Sequence, residues 1–136
     1  MKGERCREQQ QTARAWNDYQ KALAVAEAAR AKSVNVATAR HRLATAAMDA
    51  LYDLAAAPAW NRFDADDSPA AARRFFKSTA PIQKAYLQAT GPAWKKYRAA
   101  VTTATASYQR RKQAARARLC SVAAANVRPA CEAGAR

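Results

Sequence analysis

Lys95, Lys96, Arg98, Arg110, Arg111, Lys112, Arg116 and Arg118 are the residues whose type and spacing suit a definite chemistry. They form two clusters interleaved with aromatics, Trp94-Lys-Lys-Tyr97-Arg98 and Tyr108-Gln-Arg-Arg-Lys112, followed by Arg116 and Arg118. The chemistry is electrostatic. Cations on a helix suit the tracking of phosphates, which adds affinity without reading base sequence. On a helix, Lys96, Arg110 and Arg118 are expected near one side. Trp94, Tyr97 and Tyr108 are expected on the packed seam.

The clusters belong to a longer one-signed run. From Ser68 to Cys131 there are thirteen Lys and Arg residues and no Asp or Glu. The first 67 residues hold ten basic and nine acidic groups, and the other 69 hold fourteen and one. These net charges, +1 and +13, account for the whole +14. Such a surface attracts polyanions. The plainer reading is a solvated face, but a merely soluble face usually mixes both signs.

Other constellations are weak. Asp64, Asp66 and Asp67 stand close together, but negative charge before a helix start also complements the helix dipole. His41, the sole histidine, lies between Arg40 and Arg42 and reads as a solvated surface residue. Three glycines leave no Gly-rich phosphate loop. Cys6, Cys120 and Cys131 include no CxxC pair, and with one histidine they make no zinc pattern. No catalytic residue, cofactor or metal ligand is assigned, and no enzyme is expected.

The elements that would position the cations are helices. Of 68 hydrophobic residues, 39 are Ala, and Leu, Ile, Val and Phe together number 16. Ala favours helix because it loses no side-chain entropy there, and so few large apolar groups imply a thin core. The fold class is all-α: an antiparallel helical hairpin or bundle of two long helices plus one or two short ones. Residues 4–57 contain no Gly or Pro and read as one long helix, about 80 Å if straight. Propensity dips at Ser33-Val34-Asn35-Val36. A loop is expected over 58–68 after Pro58, short helices over 69–90 starting at Ser68-Pro69, and a long basic helix over 92–127. These elements form a single domain over residues 1–136.

Ala15-Trp16-Asn-Asp-Tyr19 echoes Ala93-Trp94-Lys-Lys-Tyr97 at an offset of 78 residues. Trp16, Tyr19, Trp94 and Tyr97 are expected to hold the helices together. Residues 94, 97, 101, 104, 108, 115, 119 and 122 follow three-four spacing, as in a coiled-coil seam. A second stripe, Val25, Ala29, Val36 and Leu43, suggests a further neighbour. A turn near residue 68 makes antiparallel partners sum to roughly 136. Cys6 then approaches Cys131, within reach of a disulfide.

No run of about 18 apolar residues exists, so no membrane-spanning helix is expected. An amphipathic surface helix is disfavoured by the Ala-rich stripe. The first six residues have no apolar core and do not read as a signal peptide. Reduced cysteines in an intracellular protein are the plainer reading.

The leading expectation is a non-enzymatic basic helical protein that docks on nucleic acid or another polyanionic surface. It would be a small subunit of a larger assembly, as a homo- or hetero-oligomer. The alternative is an extracytoplasmic, disulfide-tied helical bundle serving as adaptor or inhibitor for an acidic protein surface. A structural coiled-coil subunit, with charge serving only solubility, is the third.

Overall fold

The computed structural model describes residues 2–122, and all its regular structure is helical: α1, Lys2–Ala65, and α2, Pro69–Val122. The chain divides into two compact units. Of the described residues, the first unit holds 2–34 and 101–122, and the second holds 35–100.

The helices are longer and fewer than the proline pattern suggests. The expected loop over 58–68 shrinks to three residues, 66–68, because α1 continues through Pro58 to Ala65. Trp60 and Phe63, beyond the proline, both pack on Phe75, with ring centroids 4.6 and 5.3 Å apart. Tertiary packing of this kind outweighs the roughly 3 kcal/mol cost of an interior proline.

The expected short helices over 69–90 are likewise the first part of α2, which runs through Pro81 and Pro92. Two residues before each of these prolines stands a buried threonine, Thr79 or Thr90. Thr79 Oγ1 donates to the Phe75 carbonyl and Thr90 Oγ1 to the Tyr86 carbonyl, each at 2.9 Å. The buried hydroxyls are thereby satisfied inside the helix. Gly91 keeps a helical backbone with no positive φ, so it does not act as a stop. The expected end of this helix near 127 lies outside the described residues.

The start of α2 is capped locally. Ser68 Oγ accepts from the Ala71 N–H at 3.2 Å, and Asp66 Oδ1 accepts from the Ser68 N–H at 3.1 Å. Asp66 also pairs with Arg74 at 3.6 Å. The bond from the Ser68 backbone holds the Asp66 carboxyl below its ordinary range, aided by the Ser68 hydroxyl and then by the Arg74 charge. The Asp64–Asp67 cluster therefore supplies helix-start electrostatics through Asp66.

In each unit α1 and α2 pair antiparallel. In the second unit Phe63 meets Phe75, Tyr52 meets Tyr86 and His41 meets Tyr97, with ring centroids 5.2 to 5.4 Å apart. In the first unit the Arg30 guanidinium lies 5.5 Å over the Tyr108 ring. All four pairs share one residue-number sum, 138. A second set sums to 135: Trp60–Phe75, Asp49–Tyr86, His41–Trp94 and Glu27–Tyr108. The register near 136 read from the turn position is thus the observed one.

Phe75, Tyr86, Tyr97 and Tyr108 stand eleven residues apart, and so do Phe63, Tyr52, His41 and Arg30 facing them. Eleven residues over three turns is 3.67 per turn, close to the α-helix's own 3.6. Within the second unit, Phe75, Tyr86 and Tyr97 accordingly each meet the facing residue, Phe63, Tyr52 and His41.

The buried centre of each unit is made of small side chains. In the first it is Ala15, Ala26, Ala104 and Ala115 with Leu119; in the second, Ala37, Ala56 and Ala71 with Thr45, Thr79 and Thr90. Small residues let backbones approach closely, and the aromatic row closes the seam at its edge. This differs from a seam centred on Trp16 and Trp94, which are each 42% exposed. Each tryptophan makes an edge-on contact with the tyrosine three residues on. An indole is too large for a helix spacing set by alanines, so it lies at the rim. Of the residues predicted for the seam, Ala104, Ala115 and Leu119 are buried, Tyr97, Val101 and Tyr108 are half-buried, and Val122 is exposed.

Candidate functional site

The structure divides the eight candidate cations between the units. Lys95, Lys96 and Arg98 belong to the second, and Arg110, Arg111, Lys112, Arg116 and Arg118 to the first. All eight lie on α2, which carries twelve Lys and Arg and no acidic residue. Lys95, Lys96, Arg98, Arg110, Arg111 and Arg118 are exposed, and Lys112 and Arg116 are half-buried. Among the described residues a single Lys/Arg–carboxylate ion pair occurs, Arg74–Asp66. The carboxylates of α1 therefore do not neutralise the candidate cations.

In the first unit, Arg111 and Arg118 come together. They line one groove of about 330 Å³ with Lys21, over a floor of Ala22, Ala26 and Ala115. Arg118 also lines an adjoining groove with Arg14 and Asp18. Arg14 and Lys21 are seven residues apart, as are Arg111 and Arg118. Seven residues are about two turns, or roughly 10 Å, so each pair repeats on one helix face. The result is four cations along two antiparallel helices, with one carboxylate, Asp18, among them. Lys112 and Arg116 are not among the residues lining either groove.

Arg14 and Lys21 were not singled out from the sequence, because α1 is nearly neutral as a whole. Their signal was the register: partners summing to about 136 put Lys21 across from the 114–117 turn, beside Arg118.

In the second unit the Arg98 guanidinium lies 5.9 Å over the Trp94 ring, an arrangement that holds both side chains at the surface. The other face of this region corrects the reading of His41 as a solvated residue. Its ring centroid is 4.5 Å from that of Trp94 and 5.4 Å from that of Tyr97, and Nδ1 is buried with no hydrogen-bond partner among the described residues. His41 falls on the α1 row that faces the aromatics of α2, so the neighbouring arginines point elsewhere.

Farther along the second unit, the Tyr86 hydroxyl donates to Asp49 Oδ1 at 2.6 Å, and the buried Thr45 hydroxyl donates to Asp49 Oδ2 at 3.4 Å. The bond to Asp49 pushes the Tyr86 phenol above its ordinary value, with burial and then the charges of Asp49 and Asp53 adding to it. Two carboxylates and two tyrosines meet here, with no nucleophile and base in hydrogen-bonding order. Among the described residues no group of three or more His, Cys, Asp or Glu side chains is placed to hold a metal ion. No described helix is long and apolar enough to cross a membrane.

The expected Cys6–Cys131 bridge is not supported at its described end. Cys6 is an exposed free thiol, and Cys131 lies outside the described residues. The register explains why: Val122, the last described residue of α2, stands across from residues 13–16, so no described part of α2 faces Cys6. Cys120 is half-buried and disulfide-bonded.

The chain matches no protein-family model, no curated protein and no solved structure.

Proposed function

We propose that this is a non-enzymatic, basic helical protein that docks on nucleic acid or a comparable polyanion, as a small subunit of a larger assembly. One observation carries the reading: α2 has twelve cations and no carboxylate, and among the described residues only Arg74 is paired. The groove cations Arg14, Lys21, Arg111 and Arg118 contact backbone phosphates, as Lys95, Lys96, Arg98 and Arg110 do from exposed positions. The alanines between them present no hydrogen-bonding groups to base edges, so binding is insensitive to base sequence. The test is purification from the native source with and without nuclease. Release by nuclease is the expected result. A protein that remains in its assembly after complete nucleic-acid digestion contradicts the reading.

The disulfide at Cys120 favours a second reading, an extracytoplasmic helical adaptor for an acidic protein surface. Intact-mass measurement with and without reductant separates the two. One bridge in the native protein supports the second reading, and three free thiols would overturn it.

A further inference from the structure

The later part of the second stripe on α1, from Val36 on, is exposed among the described residues. In the second unit Leu43 is 81% exposed and Leu54 is 74% exposed. They are eleven residues apart, the spacing that keeps the inner rows in phase, so they share one face. Ala47 and Ala50 lie between them at steps of four, three and four, and both are exposed. Val36 begins the stripe seven residues earlier, also exposed. Thr45, His41, Tyr52 and Ala56 fall on the opposite side of the helix, against α2. The outer stripe is therefore an exposed apolar line along one side of α1.

Charge decides what fits it. From residue 35 to 65, α1 carries three cations, Arg40, Arg42 and Arg62, and three carboxylates, Asp49, Asp53 and Asp64. From 69 to 100, α2 carries seven cations and no carboxylate. Two copies repel each other along α2 and do not along α1. The stripe also has a self-complementary flank. Arg42 and Asp53 are eleven residues apart on one side of it, and neither makes an ion pair among the described residues.

We propose that the face from Val36 to Leu54 is the contact between two copies of this chain, paired antiparallel about a two-fold axis. A two-fold axis brings the same flank of each helix together. With Leu43 opposite Leu54 of the second copy, Ala47 meets Ala50, and Arg42 lies within two residues of the second copy's Asp53. The symmetry repeats that ion pair, so each copy contributes one cation and one carboxylate. The stripe is 19 residues, roughly 27 Å. A single helix face of that length is below standard interface size, so the dissociation constant lies between about 1 and 100 μM.

Sedimentation equilibrium of the full chain from about 5 μM to 500 μM, in nuclease-treated samples, tests this. Wild type passes from monomer to dimer over that range. Leu43→Glu raises the dissociation constant at least about tenfold, whereas Leu87→Glu, an exposed control on α2, leaves it unchanged. Arg42→Asp and Asp53→Arg each weaken self-association by up to about tenfold through two like-charge pairs. An equimolar mixture of these two variants recovers wild-type affinity as a heterodimer, which also shows that both variants fold. A monomer at all concentrations, a dimer indifferent to Leu43→Glu, or no recovery on mixing overturns the proposal.

Discussion

Tyr86 and Asp49 meet across the second unit through a 2.6 Å hydrogen bond from phenol to carboxylate. The same carboxylate accepts from the buried Thr45 hydroxyl, so one acid ties the aromatic row of α2 to the inner face of α1.

This bond sets a pH dependence. The Tyr86 phenol is raised above its unfolded value of about 10. A group raised on folding contributes stability that is fully present below the unfolded value and lost as pH rises through the folded one. Tyr86→Phe is therefore expected to lower stability by about 1 kcal/mol near neutral pH. Urea unfolding of both proteins from about pH 8 to pH 12 should show the gap closing at the alkaline end. A gap that stays constant would rule out the bond as its source.

His41 carries a buried nitrogen without a partner among the described residues, against two aromatic rings. An unmade hydrogen bond of this kind costs about 1–3 kcal/mol. His41→Phe keeps the ring contacts and removes the orphan atom, so it should raise the urea midpoint. His41→Ala should lower stability by about 1–2 kcal/mol. If both variants destabilise equally, the imidazole has a partner after all.

The alanine seam predicts opposite tolerance at adjacent positions. Ala26 is 2% exposed and Val25 is 64% exposed. Ala26→Leu overpacks this buried seam position and should cost about 1–3 kcal/mol. Val25→Ala should change stability by no more than about 0.5 kcal/mol. Thermal unfolding of the two variants side by side gives the comparison. Equal effects would mean the helices do not pack through Ala26.

The cap at Ser68 should be worth about 1 kcal/mol, measured as the loss in Ser68→Ala. Asp66 adds an acid-sensitive part. Its carboxyl is depressed on folding, so its contribution is present above the unfolded value of about 3.9 and fades as pH falls through the lower folded value. Asp66→Asn should reduce stability near pH 6 and match wild type at the acid end. Matching curves at both ends would dismiss the cap.

The helical class, the antiparallel register and the small-residue core were legible in the sequence. Alanine content dictated helix, and the turn near Ser68 fixed which residues face each other. Local propensity alone reads Pro58 as a break, and the packing of Trp60 and Phe63 on Phe75 overrides it. The eleven-residue spacing of Phe75, Tyr86, Tyr97 and Tyr108 was present in the sequence, yet a three-four template breaks it up. That template puts Trp16 and Trp94 on the seam; the structure places them at its rim, with Trp94 against His41 of α1, and alanines at its buried centre. For the candidate site, the cations of α2 were legible by count alone. Arg14 and Lys21 needed the register, since an even balance of charge along α1 conceals where each charge points.

The salt dependence of binding to a labelled 20-bp duplex tests the central claim most directly. Eight phosphate contacts, from Arg14, Lys21, Arg111 and Arg118 in the groove and from Lys95, Lys96, Arg98 and Arg110, give a slope of log affinity against log salt of about −7, roughly a ten-thousandfold loss between about 50 and 200 mM. Replacing Arg111 and Arg118 together by Ala should make that slope shallower by about 2. An affinity that does not change with salt, or a slope that the double variant leaves untouched, would contradict the account.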